Sequence, residues 1–100
     1  MSAYEDDIRQ DARLTILKAL ALQVDERLNS SYLASELNRF GIDRPREWIH
    51  GELDWLDLMG AVTLVKPGTV VVATLTEKGA RHLRRVLVIE GIKRPSRPGE

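Results

Sequence analysis

The sequence predicts an α+β fold with a three-helix core, a short β-hairpin, a C-terminal helix and an extended tail. Three observations support this prediction. An amphipathic segment ends at Gly60, two β-branched runs flank Pro67-Gly68, and a helix-start signal follows at Thr76. Because almost no loop separates these pieces, we expect the helix and the hairpin to pack as one unit.

Composition limits the chain to one ordinary globular domain. Its 100 residues suffice for a single core, and 43% hydrophobic with 30% charged residues is typical of a globular protein. Cysteine is absent, so no disulfide or thiolate chemistry is expected and a cytoplasmic location is the simplest interpretation. No apolar run or signal-peptide pattern indicates a membrane segment. The net charge of zero argues against a large phosphate-binding surface but permits a local basic patch.

The first helix is predicted over residues 8–24, which contain no glycine or proline. Asp6 and Asp7 precede it, where the helix dipole favours acids. Apolar side chains cover more of its circumference than one core-facing stripe requires. The wide apolar face is explained either by a partner subunit or by a helix wrapped within its own small domain, and the sequence favours neither.

A very short strand at Arg27-Leu28 is predicted to pair with the later hairpin. Residues 29–31 offer N-caps for a second helix over residues 31–40, which Gly41 ends. Its core face has the spacing i, i+4, i+7 and comprises Leu33, Leu37 and Phe40.

The third helix is expected to carry Pro45 in its first turn and to end at Gly60. Its core face repeats the same spacing with Ile49, Leu53 and Leu56. The remaining polar positions form an outward face of Arg46, Glu47, His50, Gly51, Asp54 and Asp57.

The hairpin is predicted from the β-branched runs 62–65 and 70–75, joined by a short turn at residues 66–69. Thr76 then caps a fourth helix with Glu77 in its first turn. Ala80 and Leu83, with Val86 or Leu87, are expected to pack this helix. Its outer face is basic and comprises Arg81, His82, Arg84 and Arg85.

Residues 1–90 are predicted to form the domain, and residues 91–100 a basic tail rich in proline and glycine. Such a tail cannot be helical, and we expect it to be extended with mobile last residues.

The order helix, short strand, helix, helix, hairpin, helix resembles the winged helix-turn-helix transcription regulators. Leu53-Asp-Trp-Leu-Asp-Leu-Met-Gly-Ala-Val62 resembles their recognition-helix ending and the strand after it. Leu75-Thr-Glu-Lys-Gly79 is similar to the Leu-Thr-x-x-Gly that leaves the wing in the ArsR-, MarR- and PadR-like groups. The α+β fold is therefore expected to be a winged helix-turn-helix, with the hairpin as its wing.

Nearly the full chain resembles small ArsR-like winged-helix proteins of Mu-like phages and prophages. The matching segments are Arg13-Leu-Thr-Ile-Leu, Leu53-x-Trp-Leu, Val72-Ala-Thr-Leu-Thr-Glu-Lys-Gly and Gly91-Ile-Lys-Arg-Pro-Ser. The tail segment is the most specific, since a generic regulator does not need it. The resemblance implies a DNA-binding protein of phage origin that acts in transcriptional regulation or in handling phage DNA.

Double-stranded DNA is the partner predicted first, through two groups of cationic or titratable side chains. The recognition helix and wing would supply Arg44, Arg46, His50 and Lys66, and the basic face and tail would supply Arg81, Arg84, Arg85, Lys93, Arg94 and Arg97. Acids on the third helix oppose this prediction, because phosphates repel them; they are Glu47, Asp54 and Asp57. The alternative is an interaction module that docks a phage or host protein through this helix and never binds DNA.

A homodimer is expected from the wide apolar face of the first helix together with the fourth helix. The predicted contact residues are Leu14, Leu17, Ala21, Leu22, Leu83 and Leu87. Such a dimer would be two-fold symmetric and would place two recognition helices one DNA turn, ~34 Å, apart.

No residue pattern points to catalysis, a cofactor or a metal. His50 and His82 lack ligand partners at metal spacing, and without cysteine the metal-sensor site of ArsR-like proteins is missing. Ser30 and Ser31 are better explained as helix caps than as nucleophiles. Trp55 is expected beneath the wing or at a subunit contact, and Trp48 half-buried near the turn.

Overall fold

Within residues 3–97, which the computed structural model describes, the chain forms four helices and a three-stranded sheet. The helices are α1 (Ala3–Ala21), α2 (Ser30–Arg39), α3 (Arg46–Leu58) and α4 (Glu77–Leu83). The strands are β1 (Arg27–Asn29), β2 (Val62–Val65) and β3 (Val72–Leu75). The predicted element order is confirmed. The prediction that the last residues are mobile applies partly to residues 98–100, and these lie outside the described residues.

Helix α1 begins and ends earlier than predicted and runs through the middle of the domain. It contacts the other three helices as well as β1 and β3. Its wide apolar face is therefore largely covered by its own domain. Leu17 is fully buried and Leu14 is only 7% exposed, so burial within the domain leaves little of either side chain for the subunit contact suggested by the sequence.

Helix α2 is fixed by an asparagine cap and ends one residue before the prediction. The Asn29 side chain accepts a hydrogen bond from the Tyr32 amide at 3.0 Å, and Leu33 and Leu37 are fully buried as predicted. The prediction that Phe40 lies in the core is wrong. The helix ends at Arg39, so Phe40 occupies the C-cap, leaves the helical spacing and is 64% exposed.

Helix α3 starts after Pro45, which is the N-cap rather than a residue of the first turn. Ile49, Leu53 and Leu56 face the core as predicted. The opposite side of the helix is exposed, and it lies next to the hairpin because β2 begins soon after α3 ends.

The sheet has the strand order β1-β3-β2, with both pairs antiparallel. Val62 pairs with Leu75 at the base of the wing, and Arg27 pairs with Thr74 on the other side of β3. The connection between β2 and β3 spans residues 66–71 and is longer than the predicted turn.

Helix α4 is capped by Thr76, whose hydroxyl accepts from the Gly79 amide at 3.1 Å. This cap confirms the prediction. The expectation that His82 belongs to an exposed basic face is wrong, because His82 is only 1% exposed. The following segment folds over it.

The segment after α4 has no helix or strand up to residue 97 and returns to pack on α1 and α4. Ile89 and Ile92 are buried on either side of the boundary predicted after residue 90. The Ile89 amide donates to His82 Nδ1 at 3.1 Å, and His82 Nε2 lies 3.0 Å from the Lys93 carbonyl. Because Nδ1 accepts, the imidazole is the neutral tautomer that donates through Nε2.

Candidate functional site

The exposed face of α3 is acidic. Glu47, Asp54 and Asp57 are exposed on it, and Arg46 at its start is the cation that accompanies them. His50, predicted to face DNA, is half-buried, and its Nε2 lies 3.1 Å from the Ser30 hydroxyl at the start of α2. This face therefore presents mainly negative charge to a partner.

The wing adds a single lysine to this face. Lys66 Nζ lies 3.3 Å from Asp54 Oδ1, and both side chains are more than half exposed. Exposed pairs of this kind contribute only about 0–1 kcal/mol. Lys66 is therefore able to leave Asp54 for a phosphate at little cost.

Arg44 and Arg46, the other predicted cations of this region, differ in availability. Arg44 is half-buried, with Nη2 3.4 Å from Glu5 Oε1 and its guanidinium 5.5 Å from the Trp48 ring centroid. Arg46 is exposed and has no ion-pair partner among residues 3–97. Arg46 is thus the better placed of the two to meet a ligand.

The arginines of α4 are held by one carboxylate. Arg84 Nη2 and Arg81 Nε lie 3.0 and 3.5 Å from Glu77 Oε2. The hydrogen bond from Arg84, followed by its positive charge, lowers the pKa of Glu77 below its ordinary value. Arg85 takes a left-handed backbone conformation with φ +63° and donates to the Pro95 carbonyl.

A second basic region forms where the tail crosses α1. Lys18, Lys93 and Arg94 line a groove of about 360 Å³ between α1, α2 and the tail. Lys93 Nζ is 2.9 Å from Asp11 Oδ1, whereas Lys18, Arg94 and Arg97 have no ion-pair partner in the described part of the chain. The sequence prediction missed Lys18, although its place on the polar stripe of α1 marks it as exposed.

A buried ionic cluster joins α1 to α3 beneath the exposed face. Glu52 is 3% exposed and accepts from Arg13 Nε at 2.6 Å and from Arg9 Nη1 at 3.2 Å. The Arg13 guanidinium stacks 3.8 Å from the Trp55 ring centroid and donates to the Gly91 carbonyl at 2.8 Å. Trp55 therefore packs against α1 and the tail, whereas the sequence suggested a place beneath the wing or at a subunit contact.

Residues 3–97 contain no group of three or more histidine, aspartate or glutamate side chains arranged to hold a metal ion. Over the same residues, no helix combines the length and apolar character needed to cross a membrane.

One similar solved structure is F93 from STIV, described as a winged-helix DNA-binding protein. It is 28% identical, the match covers 73% of this chain and 79% of F93, and the TM-score is 0.58. This likeness confirms the predicted winged-helix fold.

Sequence comparison points to a phage relative. No family model matches the chain. The uncharacterized protein gp26 of Escherichia phage Mu is 31% identical over 90 residues, which span 90% of this chain and 93% of gp26. The chain therefore belongs to the family of the phage Mu protein gp26.

Proposed function

We propose that this protein is a winged-helix DNA-binding protein of phage type, which acts in the cytoplasm in transcriptional regulation or in handling phage DNA. The observation that carries the proposal is the likeness to F93, which is described as a winged-helix DNA-binding protein, over 73% of the chain at 28% identity. The family of phage Mu gp26 supplies the phage setting. We also propose that the protein belongs to the ArsR-like subgroup of winged-helix proteins.

The charge distribution favours phosphate contacts over base reading. Carboxylates on α3 repel the duplex and match few base edges. Cations without ion-pair partners in residues 3–97 lie instead at the start of α3, on α1 and on the tail. We assign the phosphate contacts to Arg46, Lys18, Arg94 and Arg97, with Lys66, Lys93, Arg81 and Arg84 available after exchange of their exposed ion pairs.

Titration of a labelled duplex tests the proposal directly. Binding measured by fluorescence anisotropy should weaken steeply with salt, because each neutralised phosphate releases counterions. With about four phosphates engaged, affinity should fall about 100-fold between ~50 and ~200 mM salt. Absence of binding at ~50 mM salt would remove the DNA function.

Charge-removing variants locate the contact. Arg94→Gln combined with Arg97→Gln should reduce the salt slope by about two. Arg27→Gln on β1 is the control, since Arg27 is also exposed but lies outside the proposed contacts. Equal losses per charge removed in the tail variant and the control would show that the tail has no special role. Selection from a random duplex pool then reveals any sequence preference.

A homodimer is the second part of the proposal. Leu22 is 80% exposed and Ala21 is exposed beside it at the end of α1. Leu83 and Leu87 are half-buried and pack at the edge of the core. These four side chains retain surface for a two-fold contact, so we place the subunit contact on them.

The acidic face of α3 favours a second candidate, a protein-interaction module for a phage or host protein. Asp54→Lys combined with Asp57→Lys separates the two candidates. If α3 faces a duplex, replacing two repelled carboxylates by lysines should strengthen DNA binding at least tenfold. If the acidic face serves a protein, the change in duplex affinity should be no larger than the change caused by reversing two exposed charges outside α3 and away from the tip of the wing. Glu26→Lys combined with Asp25→Lys supplies that reference.

A further inference from the structure

The groove between α1, α2 and the tail has an apolar lining that phosphate contacts do not require. Its volume of about 360 Å³ lies at the lower end of the range for small-ligand sites, about 300–1,000 Å³. Its apolar side chains are Leu14, Ala19, Leu22 and Phe40. Leu14 and Ala19 are buried and form the floor, whereas Phe40 is 64% exposed. The groove therefore has room for one small unit of a ligand beside an aromatic ring.

The charge that this groove leaves for a ligand is positive. Three cations and two carboxylates line it, and both carboxylates already face a cation. Lys93 Nζ lies 2.9 Å from Asp11 Oδ1, and Arg39 Nη1 lies 2.8 Å from Glu36 Oε1. The other two cations of the lining have no ion-pair partner among residues 3–97; they are Lys18 on α1 and Arg94 on the tail. Both are exposed, so the groove favours an anionic ligand.

Phe40 is the side chain that the flat part of such a ligand would meet. Helix α2 ends at Arg39, and the C-cap position takes the Phe40 ring out of the core. The Arg39 guanidinium lies 6.0 Å from the ring centroid, which is the outer limit of a cation–π contact. Most of the ring therefore stays open. Leu22 is also assigned to the proposed subunit contact, and Phe40 is not.

An exposed aromatic ring beside unpaired cations matches the way proteins bind single-stranded nucleic acid. Cations contact the phosphates, and aromatic rings stack on the bases. In a duplex the bases already stack on one another, so their faces are not available to Phe40. An unpaired nucleotide offers both groups, because it has a free base face between two phosphates.

We propose that this groove binds an unpaired nucleotide of DNA, with its base stacked on Phe40 and its neighbouring phosphates on Lys18 and Arg94. The inference rests on the proposed DNA function and extends it from a duplex to a strand that leaves the duplex, at an end or in a melted region.

Fluorescence anisotropy with three labelled DNA probes tests this site. The first probe is a blunt duplex, and the second carries a tail of about six unpaired thymidines at one end. The third carries a tail of equal length that has sugars and phosphates but no bases. The thymidine tail should bind about fivefold more tightly than the base-free tail, or better, because both have the same charge and only one can stack on Phe40.

Variants assign the binding to the groove. Phe40→Ala should abolish the difference between the two tails and leave blunt-duplex affinity unchanged, whereas Phe40→Trp should keep the difference. Tyr32→Ala is the matched control, because Tyr32 is a 65% exposed aromatic side chain of α2 outside this groove. It should keep the difference. Thermal unfolding verifies that each variant is folded.

Equal affinities for the thymidine tail and the base-free tail would overturn the inference, as would a thymidine preference that survives Phe40→Ala. A uridine tail that binds more tightly than the thymidine tail would assign the groove to RNA and overturn the DNA assignment. Blunt-duplex binding without a thymidine preference removes the groove proposal alone. A thymidine preference that depends on Phe40, without blunt-duplex binding, removes the duplex function and supports the groove proposal.

Discussion

At the scale of single residues, Glu52 forms ion pairs with side chains that are distant from it in the sequence. Its carboxylate is enclosed and forms ion pairs with Arg13 and Arg9, which approach from α1. A buried ion pair adds little net stability when intact, because desolvation of the charges offsets their attraction. Removal of one partner is costly, since the other charge stays buried without compensation.

Replacing Glu52 by alanine should therefore lower the free energy of unfolding by about 3–5 kcal/mol. Glu47→Ala is the matched control, because Glu47 lies on the same helix but is exposed, and it should change stability by no more than ~0.5 kcal/mol. Urea unfolding at neutral pH measures both. A loss below ~1 kcal/mol for Glu52→Ala would show that Arg13 finds other partners.

Sequence periodicity identified most core residues but failed where tertiary contacts override it. Leu33, Leu37, Ile49, Leu53 and Leu56 follow helical spacing and are buried. Phe40 follows the same spacing but lies beyond the end of its helix. His82 was assigned to a polar face, yet the returning tail covers it and uses both ring nitrogens. The residue types along one helix do not show whether a later segment of the chain will pack over that helix.

At the scale of elements, the contact between the tail and α3 rests on a glycine. Gly91 has φ +97°, and a Cβ atom there would lie 2.6 Å from Trp55 Cζ2. Gly68 in the wing also has positive φ, at +62°, but a Cβ there meets nothing within 4 Å. Substitutions at these two positions therefore distinguish the cost of backbone strain from the cost of a steric clash.

Gly68→Ala should cost about 1–2 kcal/mol from backbone strain alone. Gly91→Ala should cost about 1–3 kcal/mol more, because the added methyl overpacks the Trp55 ring. Thermal unfolding of the two variants side by side gives the difference. Equal costs would mean that Trp55 moves aside without penalty.

The second prediction at this scale concerns whether the arginines of α4 are available to bind DNA. The low pKa of Glu77 keeps it ionised at neutral pH, and its pairs with Arg84 and Arg81 are lost only as pH falls through that lowered value. Glu77→Gln should free both arginines and raise duplex affinity about three- to tenfold at low salt. Glu26→Gln changes the net charge equally and serves as the control in the same anisotropy assay. If both variants gain alike, general charge explains the effect and α4 does not touch DNA.

At the scale of the whole molecule, the architecture was predictable because its signals are local. Caps, turn residues and short apolar repeats specify the order helix, strand, helix, helix, wing, helix, and this order confines the topology to a single sheet of three strands. The candidate surfaces were predictable only in part. The acids on α3 are visible in the sequence, whereas the ionic cluster of Glu52 with Arg9 and Arg13 depends on how α1 crosses α3.

The assembly prediction uses two leucines of equal exposure. Leu22, directly after α1, and Leu58, the last residue of α3, are 80% and 82% exposed. If the ends of α1 form the subunit contact, Leu22→Glu should convert a dimer to a monomer by burying a charge in that contact. Leu58→Glu should leave the mass unchanged. Light scattering at tens of micromolar decides the question, and a monomeric unmodified protein would refute the dimer.

The hydrogen bond from Arg13 to the Gly91 carbonyl joins residues 78 positions apart in the sequence. A ribosome makes the chain from its N-terminus at about 5–20 residues per second, so Gly91 leaves it well after Arg13. Until then Trp55 lacks the tail that packs beside it. The contact between the tail and α1 therefore cannot form until Gly91 has been translated. A messenger RNA truncated shortly before codon 91 would yield a chain that cannot close its core and is open to proteases.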